Sequence, residues 1–212
     1  MPSRDTLDKV IPIYMASVCA KPFTYKGKTY HPRPLRVSPL IFRGFTCPPN
    51  CGACCPRFSL DYLPHEELPS GVTLVPRQVV VNSEEKTILS DLQLDHNDHH
   101  CKNVSKKDGR CSIHGKQPFS CDFELIRFMQ SKQGRGDMLI QRLYGRGWQM
   151  LRVDGRRRAL CEMTPVDDFT VGEVVRKLKR LKQWTDHFGI VTKMDEIITW
   201  AESGPHDQPL CV

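Results

Sequence analysis

Cys47-Pro48-Pro49-Asn50-Cys51-Gly52-Ala53-Cys54-Cys55 packs four cysteines into nine positions. Thiolates separated by two or three residues can converge on one metal ion without straining the backbone, so this spacing reads as a chelate. The Pro/Gly content puts the run on a loop, where the chain can turn successive side chains inward. Neighbouring side chains of an extended backbone point opposite ways, so the Cys54-Cys55 doublet is most simply split between two centres.

Outward from this run, Cys101, Cys111 and Cys121 form a second group, and Cys161 stands alone further on. Cys47, Cys51, Cys54, Cys55, Cys101, Cys111, Cys121 and Cys161 together supply eight thiolates. Eight ligands suit two four-coordinate sites, or one polynuclear cluster with a mononuclear site. Tetrahedral thiolate sites fit zinc. Closely spaced cysteines on loops with glycine and proline fit an iron–sulfur cluster equally well, and spacing alone does not separate the two. Cys111-Ser112-Ile113-His114 also has chelating spacing, so His114 could replace a thiolate. His96, His99 and His100 crowd the same region and read as hydrogen-bonding neighbours. Cys19 and Cys211 fall outside the set and read as a small buried hydrophobe or an inert surface thiol.

The chain has 212 residues, enough for one sizeable domain with a helical piece appended. Hydrophobic content of 39% and aromatic content of 8% are low for a core, a shortfall that metal can make up. The formal charge is +7 with a pI near 8.9. Metal-bound thiolates add negative charge, so the apo figure overstates how basic the loaded protein is. The positive charge is concentrated in Arg127, Lys132, Arg135, Arg142, Arg146, Arg152 and Arg156-Arg157-Arg158. Such a stretch is a solvated face or a surface for an acidic partner such as nucleic acid. No segment approaches the ~20 apolar residues that span a bilayer. Val10 to Ala20 is mildly apolar, but Asp5 and Asp8 precede it and Pro12 interrupts it, a poor signal peptide. The expected compartment is the cytoplasm, where thiols persist as ligands rather than disulfides.

The expected fold is α+β: a small, irregular, metal-stapled cysteine-cluster core with a few antiparallel strands and C-terminal helices. Residues 1–44 read as an irregular lead-in with a short hairpin over Phe23 to Tyr30, followed by extended backbone at His31-Pro32-Arg33-Pro34. Residues 45–162 form the cysteine-cluster domain, and 163–212 a helical extension with a frayed tail from Gly204. Val72 to Val81 carries a β-branched run and reads as a strand. Ser83-Glu84-Glu85-Lys86 reads as a capped helix start, with Ile88, Leu89 and Leu92 on one face. Phe123 to Met129, Met138 to Tyr144 and Trp148 to Val153 read as strands. Thr170 and Glu173 fit a capping box. Val171, Val174, Val175, Leu178 and Leu181 then recur at helical spacing, with Arg176, Lys177, Lys179, Arg180 and Lys182 opposite. A second helix begins near Thr192 and carries Met194, Ile197, Ile198 and Ala201.

Phe45-x-Cys47-x3-Cys51-Gly52-x-Cys54-Cys55, followed by Cys101-x9-Cys111-Ser112-Ile113-His114-x3-Pro118-x2-Cys121, resembles the YkgJ-type cysteine-cluster family. The resemblance covers roughly residues 45 to 162 and rests on the doublet and both blocks occurring in order. It implies a zinc- or iron-chelating domain with eight cysteines, Cys161 taking the eighth place. Two positions depart from the family pattern. Gln117-Pro118 stands for Arg-Pro, and Asp122 replaces the arginine after Cys121. The family includes flagellin lysine methylases, but most members have no assigned reaction. Cys47-x3-Cys51-x2-Cys54 also matches the spacing of radical SAM enzymes. Ala53 stands where their aromatic belongs, and the strand–helix alternation of their barrel is missing.

Three functions follow. The first is an iron–sulfur or iron cluster protein that modifies a macromolecule, favoured because eight thiolates exceed what one structural site needs. Asp122 and Glu124 would be its nearby acids, although no nucleophile–base pair or nucleotide-binding glycine motif appears. The second is a structural-zinc module gripping nucleic acid through Arg142, Arg146, Trp148 and Arg156 to Arg158. The third is a metal carrier or sensor.

Overall fold

The computed structural model describes residues 15–37, 39–42, 44–46, 61–68, 74–91, 103, 105, 107, 111–113, 116, 118, 126–130, 136–140, 148–153, 158–166 and 171–212. Two tight hairpins organise the first sheet. Strands β1 (Phe23–Tyr25) and β2 (Lys28–Tyr30) are joined by Lys26 and Gly27, both at positive φ (49° and 71°). Positive φ at both central positions gives a two-residue turn the right-handed twist of its flanking strands.

Three short elements follow: β3 (Leu35–Val37), a 3₁₀ turn (Pro39–Phe42) and β4 (Gly44–Thr46). Next come β5 (Asp61–Tyr62), β6 (Leu74–Val81) and β7 (Glu84–Asp91). The helix expected from Ser83 is strand β7. Asn82 and Ser83 sit at φ 53° and 64°, a second two-residue hairpin turn that pairs Val81 with Glu84 and Leu74 with Asp91. Tertiary pairing overrides the local helical preference of Glu84-Glu85-Lys86. Asn82 suits its position, because its Oδ1 accepts the Thr24 N–H at 3.1 Å and its Nδ2 donates to the Gly189 carbonyl at 3.2 Å. Ser83 has no such excuse for a left-handed backbone. Ser83→Gly is expected to stabilise the protein by about 0.5–1 kcal/mol, read as a raised urea midpoint at constant slope.

The sheet order is β2-β1-β6-β7-β5. Its side chains alternate between two surfaces. Val79, Val81 and Ile88 join the main hydrophobic core, whereas Leu74, Leu89 and Tyr62 join a small cluster with Ile113 and Cys111. Ile88 and Leu89, expected on one helix face, therefore lie on opposite faces of a sheet.

Strands β8 (Ile126–Gln130) and β9 (Gly136–Ile140) pair antiparallel. Gln130 pairs with Gly136; of the expected spans, residues 123–125 and 141–144 lie outside the described residues. β3 joins β9 in parallel, the one departure from antiparallel pairing among the described strands. β10 (Trp148–Val153), as expected, pairs with β11 (Arg158–Val166), which also pairs with β4.

Helix α1 (Val171–His187) buries Val174, Val175, Leu178 and Leu181 as the periodicity predicts; Thr170 lies outside the described residues. It ends on Gly189 at φ +66°, with Ile190 N–H donating to the Thr185 carbonyl at 2.9 Å, a left-handed glycine stop. Helix α2 (Met194–Ser203) follows and buries Met194, Ile197, Ile198 and Ala201.

Residues 15–42 carry the expected hairpin and also contribute to the core; residues 1–14 lie outside the described residues. Met15, Ala16, Val18, Cys19, Phe23, Tyr25, Leu35, Val37 and Ile41 are buried in the same core as the two helices. Residues 15–20 are strapped to the α1–α2 connection by Ala20 N–H to Val191 O (2.8 Å) and Lys193 N–H to Val18 O (3.0 Å). The tail is not frayed. Strand β12 (Leu210–Cys211) pairs with β3, and Val212 and Leu35 exchange two backbone hydrogen bonds of 2.9 Å. The α+β class, antiparallel strands and C-terminal helices stand. The main core of the described residues is hydrophobic, and Cys111, the one clustered cysteine whose burial is described, packs in the smaller cluster instead. No described helix is long and apolar enough to cross a membrane.

Candidate metal centre

The described strands flank the cysteine-bearing segments. β4 ends at Thr46, the residue before Cys47, and Thr46 pairs with Thr164 on β11. Cys161 lies on the same strand, paired with Met150 of β10. Thr164 is three positions along the strand from Cys161, on the order of 10 Å. The first residue of the dense run thus follows a strand paired with the one that carries Cys161. At the other end of the run, β5 begins six residues after Cys55. Its Tyr62 is 1% exposed and packs with Ile113 and Cys111 on the sheet face opposite the helices. The second block is thereby fastened beside the exit of the first.

The second block is itself pinched at its neck. The Asn103 carbonyl accepts the Ser112 N–H at 2.7 Å and lies 3.2 Å from the donating Ser112 hydroxyl. These positions are two residues past Cys101 and one past Cys111 in the sequence. The Asn103 Nδ2 is fully buried and donates to nothing. Buried amide donors are ordinarily satisfied, so an orphan here marks a place where an acceptor belongs. A bound thiolate is such an acceptor, and the donor set of the surrounding sequence is sulfur. On both counts the residues present fit a thiolate-held metal.

Cys47, Cys51, Cys54, Cys55, Cys101 and Cys121 lie outside the described residues, as do His96, His99, His100, His114, Asp122 and Glu124. Among the described residues no three His, Cys, Asp or Glu side chains converge as a metal site. Arg127 and Arg152 lie on β8 and β10, and Arg158 opens β11; Lys132, Arg135, Arg142, Arg146, Arg156 and Arg157 fall outside the described residues.

Two cysteines read as outsiders are placed accordingly. Cys211 is exposed on β12, and Cys19 is buried; neither is in a disulfide. Burial pushes the Cys19 thiol from 9.0 up to about 12, because a thiolate there would lose its hydration. The folded state therefore holds a proton that the unfolded chain releases. The stabilising contribution is whole below pH 9.0 and is lost as pH rises toward about 12. Cys19→Ala should flatten the alkaline fall in stability relative to wild type by on the order of a few kcal/mol across that window, measured by denaturant titrations at stepped pH. An unchanged alkaline slope would show that Cys19 does not cause it.

The basic face expected on α1 is largely neutralised within the molecule. Arg176 pairs with Glu173 (2.6 Å), Lys179 with Glu202 (2.8 Å), Lys182 with Asp186 (2.9 Å) and Arg180 with Glu66. Lys177, expected on the exposed side, is buried at 5% exposure. Glu66 also accepts the Leu63 N–H at 2.9 Å, so the Arg180 pair ties the segment after β5 to α1. Asn103 and Tyr62 are the site residues that sequence reasoning passed over. Only the position of Asn103, two residues from a ligand-type cysteine, could have signalled it.

Residues 46–136 match the model of the CxxCxxCC family, described as a "putative zinc- or iron-chelating domain". The matched stretch holds seven of the eight cysteines, and Cys161 lies beyond it. No curated protein and no solved structure was found to match the chain.

Proposed function

We propose that the chain is an iron–sulfur or iron cluster protein acting in the modification of a macromolecule. Cys47, Cys51, Cys54, Cys55, Cys101, Cys111, Cys121 and Cys161 hold the metal. The observation that carries the reading is the double fastening. β4, which ends one residue before the dense run, pairs with β11, which carries Cys161, and Tyr62, seven residues after Cys55, packs with Ile113 and Cys111. One structural zinc needs four thiolates; a sequence that supplies eight supports a larger inorganic centre. When bound, such a centre supplies one-electron or group-transfer chemistry at iron.

The chain's own part is to gather thiolates and to keep acidic partners near. The sequence from Arg127 to Arg158 carries the positive charge for that, since α1 spends most of its cations on internal pairs. Asp122 and Glu124, adjacent to Cys121 in sequence, are the candidate proton-transfer groups.

Metal analysis with absorbance on anaerobically purified protein tests the proposal. Brown protein with iron and acid-labile sulfide is the expected result. Colourless protein with stoichiometric zinc and salt-sensitive nucleic-acid binding would replace it with a structural module. Protein free of transition metal yet folded would overturn metal binding itself.

A further inference from the structure

We infer that the β1–β2 hairpin is a nucleic-acid-binding surface, with Lys21, Lys26, Lys28 and Arg33 gripping the phosphate backbone. This surface lies apart in sequence from Arg127 to Arg158, and its charge owes nothing to the metal centre. Residues 9–60 contain no Asp or Glu, so no near neighbour in the chain offsets these cations. Lys21, Lys26, Lys28, His31 and Arg33 are all exposed. Among the described residues Lys21, Lys28 and Arg33 join no ion pair. The cations of α1 are in the opposite situation, since Arg176, Lys179, Arg180 and Lys182 each face a carboxylate.

Two tyrosines hold the cations at the hairpin tip. The Lys26 ammonium lies 5.3 Å from the centre of the Tyr25 ring, and the Lys28 ammonium 5.3 Å from that of Tyr30. Tyr30 stacks on Phe23 with ring centres 5.3 Å apart, and Phe23 and Tyr25 are anchored in the main core. Lys28 stands opposite Tyr25, and Tyr30 opposite Phe23, so these groups share one face of the hairpin. A cation drawn to an aromatic ring has given up side-chain freedom before a ligand arrives, which lowers the ordering cost of binding. Lys21 and Arg33 stand at the open end of the same hairpin, two residues before Phe23 and three after Tyr30. The Arg33 N–H donates to the Ala16 carbonyl at 2.9 Å, which fixes the backbone there. The chemistry of the surface selects the partner. Among the described residues the exposed large hydrophobic side chains are Leu68 and Val191, and neither is on this hairpin. Protein interfaces have an apolar centre, and membrane-surface segments have an apolar face to insert. Nucleic-acid interfaces are polar and strongly positive, and lysine binds phosphate as a compact charge.

Fluorescence anisotropy of the full chain with a labelled single-stranded DNA oligonucleotide, over a series of salt concentrations, tests this. The triple variant Lys21→Gln, Lys28→Gln, Arg33→Gln removes three exposed charges, so its urea midpoint and metal content should match wild type. Each lost phosphate contact takes about 0.7 from the slope of log affinity against log salt, so the slope should flatten by about 2. At about 0.15 M salt the affinity should fall roughly 10- to 100-fold. The charge-keeping triple variant Lys21→Arg, Lys28→Arg, Arg33→Lys should bind as wild type does. A wild-type chain that does not bind the oligonucleotide, a glutamine variant with the wild-type slope, or a charge-keeping variant as weak as the glutamine one overturns the inference. Tighter binding to polyglutamate, or to vesicles of anionic phospholipid, than to the oligonucleotide overturns it in favour of an acidic protein or a membrane surface.

Discussion

Cys51→Ser and Cys54→Ser are expected to empty the metal centre while leaving the helical half of the molecule folded. A structural four-thiolate site binds with roughly 10–16 kcal/mol. Loss of one of four ligands removes about a quarter of that, roughly 3 kcal/mol or a hundredfold in affinity. Metal binding and folding of the ligand-bearing loops are one process, so those loops lose their order with the metal. The main core is another matter. Its described residues come from the N-terminal strands, the β6–β7 hairpin, α1 and α2, and Cys111, the one clustered cysteine whose burial is described, is not among them. Far-UV circular dichroism of either variant should therefore keep its helical signal. Denaturation followed by that signal should show a midpoint close to wild type. Metal content by elemental analysis should fall to background after gel filtration. Retained metal would remove Cys51 and Cys54 from the ligand set. A helical signal lost along with the metal would mean that the centre and the hydrophobic core form one cooperative unit.

Candidate ligands could be named from the sequence because chelation constrains near neighbours. Cys47 to Cys55 span nine positions, and their spacing suggests the chemistry without knowledge of the fold. The Phe23–Tyr30 hairpin was legible for the same reason, since Gly27 marks a turn at φ 71°. The β6–β7 hairpin was not, because Asn82-Ser83 looks like a helix cap with acids behind it. What decides the matter is non-local: Asn82 hydrogen-bonds to Thr24 and Gly189, 58 and 107 residues away. The place of Met15 to Cys19 in the core was hidden likewise, because the surface that buries them is contributed by α1 and α2. The basic face of α1 was read as free charge because Glu66, which pairs with Arg180, lies 114 residues distant in the chain. Patterns of residue type reveal what a segment can do; its partners decide what it does.

Leu178→Ala is expected to produce the reverse of the cysteine variants, a large loss of stability with metal uptake retained. Leu178 is 0% exposed, with Leu181 and Ile197 at the same value in the same core. Truncating such a leucine removes transfer free energy and leaves a cavity that a packed core refills only in part. The cost is about 2–5 kcal/mol, a large share of the 5–15 kcal/mol typical of a whole domain. Leu178→Met, which nearly conserves volume, should cost less than about 1.5 kcal/mol. The helix pair should melt early, read as a lowered urea midpoint of the helical signal. Leu178 lies in the main core, whereas Tyr62, Ile113 and Cys111 form a separate cluster, so the metal-to-protein ratio of folded Leu178→Ala should equal wild type. That pairing of outcomes separates two sources of order in one chain: hydrophobic burial between the N-terminal strands and the C-terminal helices, and the proposed sulfur ligation. A Leu178→Ala variant that loses its metal in parallel with its helices would join the two. One that costs less than about 1 kcal/mol would take the packing of α1 out of the account of stability.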